Sequence, residues 1–249
     1  AWRDNSGSSH DAGDGAGAGS GTDVWARVFN TDGSEAVSEF RVNTSVTKSG
    51  HQYQPSITGL EAGGFVVSWR DDSGSSHDDG TGVGSGIDIW AQVYANDGTV
   101  TASEFRVNSY TSSHQYEPSV SGLTGGGFVV TWNDSSGHDG GSSSDIRGQL
   151  YTDSGVAVGE EFLVNTWVSS QQSEPSVSAL EDGGFVVSWT SNYQDGSNTG
   201  IFSQRFEADG TPIKTVRLTG NTGDDVVSFV EAQSEMIVDG GDGNDTLTL

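Results

Sequence analysis

Cysteine is absent from the 249 residues, which excludes disulfide staples, thiolate zinc sites and thiol catalysis. Cations are scarce: 10 Lys plus Arg stand against 35 Asp plus Glu, a formal net charge of −25. A chain that repels itself this strongly is expected to bind neither nucleic acid nor anionic membrane. No run approaches eighteen apolar residues, so no membrane insertion is expected. The opening Ala1-Trp2-Arg3-Asp4 has no charged-then-apolar leader. It reads like the middle of a motif that returns at Trp69-Arg70-Asp71, so a piece of a longer polypeptide is expected.

Glycine and aromatic residues are abundant instead. There are 37 glycines, about twice the usual share, alongside seven Trp, ten Phe and six Tyr. That aromatic mass separates the chain from a disordered Gly/Ser-rich linker. The reading is a folded, turn-rich β protein large enough for a sizeable core.

A long repeat organises the sequence. Gly-Gly-Phe-Val-Val-(Ser/Thr)-Trp occurs at 63–69, 126–132 and 183–189, and Trp2 matches the end of an earlier copy. The four tryptophans lie 67, 63 and 57 residues apart, and Pro55, Pro118 and Pro175, three of only four prolines, share the 63 and 57 spacing. One period holds four short apolar runs, Pro118 to Leu123, Phe128 to Trp132, Ile146 to Tyr151 and Glu161 to Asn165. The first two are joined through Gly125-Gly126-Gly127, and the last two through a turn that in other copies is Asp32-Gly33, Asp97-Gly98 or Asp209-Gly210, the tight hairpin dipeptide. Phe65-Val66-Val67 is apolar on both pleat faces, so sheets must stack face to face.

Four antiparallel strands per unit with burial on both faces predict an all-β, β-propeller-like array of about four blades. A β-sandwich or a linear β-repeat array is the alternative. The expected division is a repeat domain over 1–219 and a glycine/aspartate-rich tail over 220–249. In this reading Thr215 to Thr219 closes the fourth unit, and tail strands at Val226 to Val230 and Met236 to Val238 complete the first blade by pairing with its edge.

In the tail, Gly240-Gly241-Asp242-Gly243-Asn244-Asp245-Thr246-Leu247-Thr248 matches the nonapeptide G-G-x-G-x-D-x-U-x at every specified position. A degenerate copy starts at Gly220 and carries Asp225, twenty residues earlier, so the two are not a tandem run. On these residues the chain resembles the RTX family of secreted bacterial calcium-binding proteins, and the Gly-Gly-Phe-Val-Val-x-Trp units resemble the long repeats of large secreted RTX-type proteins. The resemblance implies Ca²⁺ held by Asp225, Gly240, Gly241, Gly243 and Asp245, with export through a type I secretion channel to the cell surface or medium. Glycines let backbone carbonyls turn inward, and one Asp per turn supplies a hard anionic oxygen.

A second acidic reservoir is the loop between the second and third strands of each unit, 4–23, 71–88 and 134–145. There Asp71, Asp78, Asp79 and Asp88 are candidate calcium ligands, against the alternative of solvated loops without an ion, since no copy matches the D-x-[DN]-x-[DN]-G loop with its closing Glu.

Other candidates read as structural. His10, His77 and His138, and His51 and His114 in His-Gln-Tyr, occur one per unit rather than converging as metal ligands do. Glu39, Glu104 and Glu161 read as strand-edge solvation, and Asn43, Asn108 and Asn165 as partners for backbone groups where the fourth strand ends. No nucleophile motif is present, and Trp167, Tyr110, Tyr193 and Lys48 are candidates for a sugar or partner patch. The expected function is a non-catalytic secreted calcium-binding module for surface attachment or extracellular structure, with glycans or neighbouring copies as partners. The alternatives are a carbohydrate-binding propeller and the accessory region of a secreted polysaccharide-active enzyme.

Overall fold

Apolar residues on both faces of the Phe-Val-Val-x-Trp run fix the architecture, because a sheet with two oily sides is stable only between two others. The computed structural model describes residues 1–4, 21–44, 50–73, 86–111, 113–138, 144–196 and 198–213, and four further backbone strands. Among these every regular element is a strand.

The first unit contains β1 (Trp2–Asp4), β2 (Asp23–Phe29) and β3 (Glu35–Arg41). The second contains β4 (Gln52–Gly59), β5 (Phe65–Asp71), β6 (Asp88–Tyr94) and β7 (Val100–Arg106), and the third β8 (Gln115–Gly122), β9 (Phe128–Asp134), β10 (Asp145–Tyr151) and β11 (Ala157–Leu163). The fourth has β12 (Gln172–Ala179), β13 (Phe185–Asn192) and β14 (Thr199–Phe206). Strands pair in sequence order and antiparallel within each unit, the propeller-like arrangement the repeat predicts. The last strand of the third unit begins at Ala157 rather than Glu161, because the turn at Gly155 (φ 77°) returns the chain at once. That leaves Asn165 beyond the strand, with its side chain available for capping.

The side chains at the closing hairpins explain the Asp-Gly signal. Asp32, Asp97 and Asp209 each accept the backbone N–H two residues on, with Gly33, Gly98 and Gly210 at positive φ. These bonds hold all three carboxyls below the ordinary aspartate range, hydroxyl donors from Ser34 and Thr99 contributing most at Asp32 and Asp97, and the backbone of Thr211 at Asp209.

Units stack in order through three apolar clusters. Val24, Ala26 and Val42 of the first meet Phe65, Val67, Trp69, Trp90 and Tyr94 of the second. One face of the second unit (Val66, Ile89, Ala91, Val93) meets Phe128, Val130, Trp132 and Tyr151 of the third. The third repeats the pattern, with Val129, Ile146 and Leu150 against Val177, Phe185, Val187, Trp189 and Phe206 of the fourth. The repeat tryptophans Trp69 and Trp132 are fully buried.

Innermost strands β4, β8 and β12 lie side by side and are tied by a ladder the apolar pattern does not show. Ser56 Oγ and Thr58 Oγ1 accept the N–H groups of Val120 and Gly122, and Ser119 Oγ and Ser121 Oγ those of Val177 and Ala179, at 3.0–3.1 Å. Each inner strand is bulged where Gln54, Glu117 and Glu174 adopt φ 50–55° immediately before the repeat proline. Proline has no N–H to donate, so it sits without cost at a break in the ladder.

The fourth unit's next face is open: Ile201 is 75% exposed, whereas Ile89 and Ile146 at the equivalent place are fully buried. Among the described residues its fourth position holds only a bridge between Phe206 and Pro212. The segment expected to close it, β15 (Val216–Thr219), instead pairs in parallel with β17 (Met236–Asp239), and β16 (Val226–Ser228) pairs in parallel with β18 (Thr246–Thr248). Tail strands therefore pair with one another, and the first unit's sheet contains β1, β2 and β3 alone among the described strands. Both parallel pairs are offset by twenty residues, Val216 to Met236 and Val226 to Thr246. That is the spacing of the two nonapeptide copies, so the strands they run into are neighbours.

Two phenols lock the unit interfaces, Tyr94 Oη donating to Val42 O and Tyr151 Oη to Val107 O. Burial, then the charges of Glu104 and Glu161, push both well above the ordinary tyrosine range. Their neutral form is thus favoured by folding, a contribution complete below the unfolded phenol pKa and lost as pH rises through the raised folded value. In an alkaline titration followed by phenolate absorbance, Tyr94 and Tyr151 are expected to ionise only with unfolding. Early ionisation that Tyr94→Phe and Tyr151→Phe together remove would show the phenols to be accessible.

Candidate functional site

The end of the array where second strands finish and first and third strands begin carries most of the repeated polar chemistry. A relay recurs there. Asn43 Oδ1 accepts Val24 N at 2.8 Å, while its Nδ2 donates to Asp23 (2.7 Å) and Gln52 (3.2 Å), and Gln52 Nε2 donates to Asp71 at 3.1 Å. One unit later Asn108 accepts Ile89 N and donates to Asp88 and Gln115, whose amide reaches Asp134. At the third repetition Asn165 bonds Ile146 N and Asp145, but Gln172 turns to the carbonyls of Trp167 and Ser170, because Ser191 stands where the other units have Asp. The Val-Asn asparagines thus satisfy backbone groups as expected, and they also anchor buried carboxylates.

Asp71 and Asp88 face each other as partners across β5 and β6 and are 2% and 6% exposed. Directly opposed like charges are unfavourable on a sheet, and the amides offset this: Asp71 accepts from Gln52 and from Ser73 N, Asp88 from Asn108. Asp78, Asp79, Asp225, Gly240, Gly241, Gly243 and Asp245 lie outside the described residues. Among the described residues no group of three or more His, Asp or Glu is placed to hold a metal ion.

His51 and His114 accept, through Nδ1, the backbone N–H groups of Thr22 and Ile87, each at 3.1 Å. They buckle the preceding unit's loop to the next inner strand. His138 packs against Tyr110 with its ring tilted by 31°, while His10, His77 and Lys48 lie outside the described residues. Glu104 and Glu161 are more than solvated strand edges. Glu104 Oε2 accepts from Thr44, and Glu161 Oε2 from Ser109, on the connection out of the preceding unit, and Glu161 Oε1 holds Arg147 at 2.9 Å. Arg147 also pairs with Asp134 at 3.3 Å, all three being buried.

Beside the inner strands runs a second row. Arg70 lies over the ring of its cross-strand partner Tyr53 at 5.3 Å and over Tyr116 of the next unit at 4.7 Å. Arg3, the equivalent residue one unit earlier, lies over the other neighbour of the row, Tyr53, at 5.5 Å. On the connections, Tyr110 and Trp167 occupy equivalent places, their carbonyls accepting from Asn108 and Asn165. Arg147 covers Tyr110, whereas Trp167 stays 38% exposed. Sequence reading treated His-Gln-Tyr through its histidine and missed the tyrosine. The available signal was Trp-Arg at 2–3 and 69–70, in register with Tyr53 and Tyr116.

No protein-family model matches the chain, and no curated protein matches it. Solved structures similar to it include an α-L-arabinofuranosidase from Lactobacillus brevis (14% identity, 70% of this chain and 58% of that one, TM-score 0.44). An endo-arabinase from Bacteroides thetaiotaomicron (18%, 80% and 67%, 0.41) and a thermostable family-43 glycoside hydrolase (12%, 76% and 68%, 0.42) are others. The chain thus spans 58% of the arabinofuranosidase's length. These structures are enzymes, and the expectation that this chain is not one is corrected by that finding.

Removing one member of the relay leaves partners buried without bonds. Gln115→Leu is expected to destabilise the fold by about 1–3 kcal/mol in denaturant unfolding. An unchanged midpoint would show the relay to be dispensable.

Proposed function

We propose that this chain is a glycan-engaging β-repeat module of a secreted polysaccharide-active protein, with an RTX-type calcium-binding coil at its C-terminal end. The observation that carries the reading is the gathering of aromatic side chains, unit after unit, at one end of the array: Tyr53 and Tyr116 near the start of the inner strands β4 and β8, Tyr110 and Trp167 on the connections. Aromatic rings with fixed polar neighbours offer a sugar an apolar face to stack on and hydrogen-bond partners at its rim. Equivalent places in successive units suit a ligand that is itself a repeating polymer. The set Tyr53→Ala, Tyr116→Ala and Trp167→Ala is expected to lower affinity for a bound polysaccharide at least tenfold in a plant and bacterial glycan panel. Binding that survives all three in the folded protein counts against this surface.

Calcium belongs to the tail in this proposal. Among the described residues the carboxylates of Asp71 and Asp88 bond to amides of the fold, which does not favour an ion between them. The parallel pairs offset by twenty residues are those of a two-strand coil, the architecture glycine/aspartate nonapeptides form. A site of extracellular affinity at hundredfold ion excess stabilises by about 2.7 kcal/mol. Excess chelator is therefore expected to lower the melting temperature and Asp245→Ala to blunt that shift; a melt indifferent to chelator removes calcium from the account.

A further inference from the structure

We infer that the row Arg3, Tyr53, Arg70 and Tyr116 is a binding site for carboxylate-bearing glycans, polymers of uronic acids in chemical class. This deepens the glycan reading and rests on it. Arg27, Arg147 and Arg205 each hold a described carboxylate. Arg3 and Arg70 do not; their described contacts are with tyrosine rings, two guanidiniums standing against the single ring of Tyr53. In a chain of net charge −25 that placement is unusual.

A guanidinium held against a ring keeps its N–H donors in its own plane, the geometry that grips a carboxylate with two bonds. Arg70 is half-buried and Arg3 exposed, so neither guanidinium is enclosed by the fold. Two like charges at one ring repel, and an anion between them turns that repulsion into attraction. Tyrosine alternating with arginine adds the sugar-stacking face that a bare phosphate polymer does not use. The row ends at the third unit, where Asn133 bonds Gln172 O in place of a free cation and Ser173 replaces the tyrosine.

The test is calorimetric titration with polygalacturonate and with the same polymer methyl-esterified, against the unaltered chain, Arg70→Met and Arg3→Gln. Arg70→Met keeps the aliphatic stem between the rings, and Arg3 is exposed, so at least the second variant leaves packing intact. The acidic polymer is expected to bind at least tenfold more tightly than its ester, and each variant to lose about tenfold for the acid and little for the ester. Equal affinity for the two polymers, unchanged affinity in both variants, or Arg70-dependent binding of single-stranded DNA instead, each overturns the inference. Should neutral glycans bind through the tyrosines while polygalacturonate does not, this inference falls and the glycan reading stands. Should no glycan bind, both fall.

Discussion

The two-sided burial of each sheet is the constraint from which the rest of the molecule follows. Val66, Ile89 and Val93 lie on one side of the second unit, and Phe65, Val67, Trp69 and Tyr94 on the other, so neither face can be left to water. At about 25 cal/mol per Å² of apolar surface, stacking outweighs any single polar contact between units. Polar bonds then decide how the stacked sheets are set. The Ser/Thr ladder aligns inner strands β4, β8 and β12, the tyrosine hydroxyls reach across the first two interfaces to a backbone carbonyl, and Glu104 and Glu161 fasten the connection leaving the preceding unit.

This division of labour puts chemistry at one end. The hairpin turns at the other end are spent on geometry, with glycines at positive φ and Asp side chains folded back on their own backbone. At the opposite end buried Asp, Asn and Gln form relays that hold strand ends in place beside the Arg-Tyr row. A rigid, hydrogen-bonded layer beside a row of rings and cations suits a binding surface, since the ligand meets groups that need no rearrangement.

The repeat, its four strands, the hairpin turns and the Val-Asn caps were legible because each depends on neighbours in sequence or on pleat alternation. What depends on the adjoining unit was not. Glu104 looked like a solvated edge because its partner, Thr44, is sixty residues away. Ser56 and Thr58 carry no signal in the sequence for the bonds they accept from the next inner strand. The tail misled for the opposite reason: a 20-residue separation looked too long for stacked turns, whereas two strands per coil make it one circuit. The Arg-Tyr row needed both kinds of information, the repeat register and the knowledge that one inner strand faces the next unit's.

The spacing of 67, 63 and 57 residues between equivalent tryptophans now has a location. Strands β5 and β9 are equal in length, as are β6 and β10; the step from 63 to 57 lies in the stretch between the second and third strands, 16 residues (72–87) against 10 (135–144), and the step from 67 to 63 is shared between that stretch and the connection before the inner strand, 10 residues (42–51) against 8 (107–114). The apolar residues at the interfaces recur in the same repeat positions despite these length changes. Lineages could therefore lengthen, trim or exchange these excursions, or duplicate a whole module, without reworking the joints, and so diversify the rim against new targets while inheriting the scaffold unchanged.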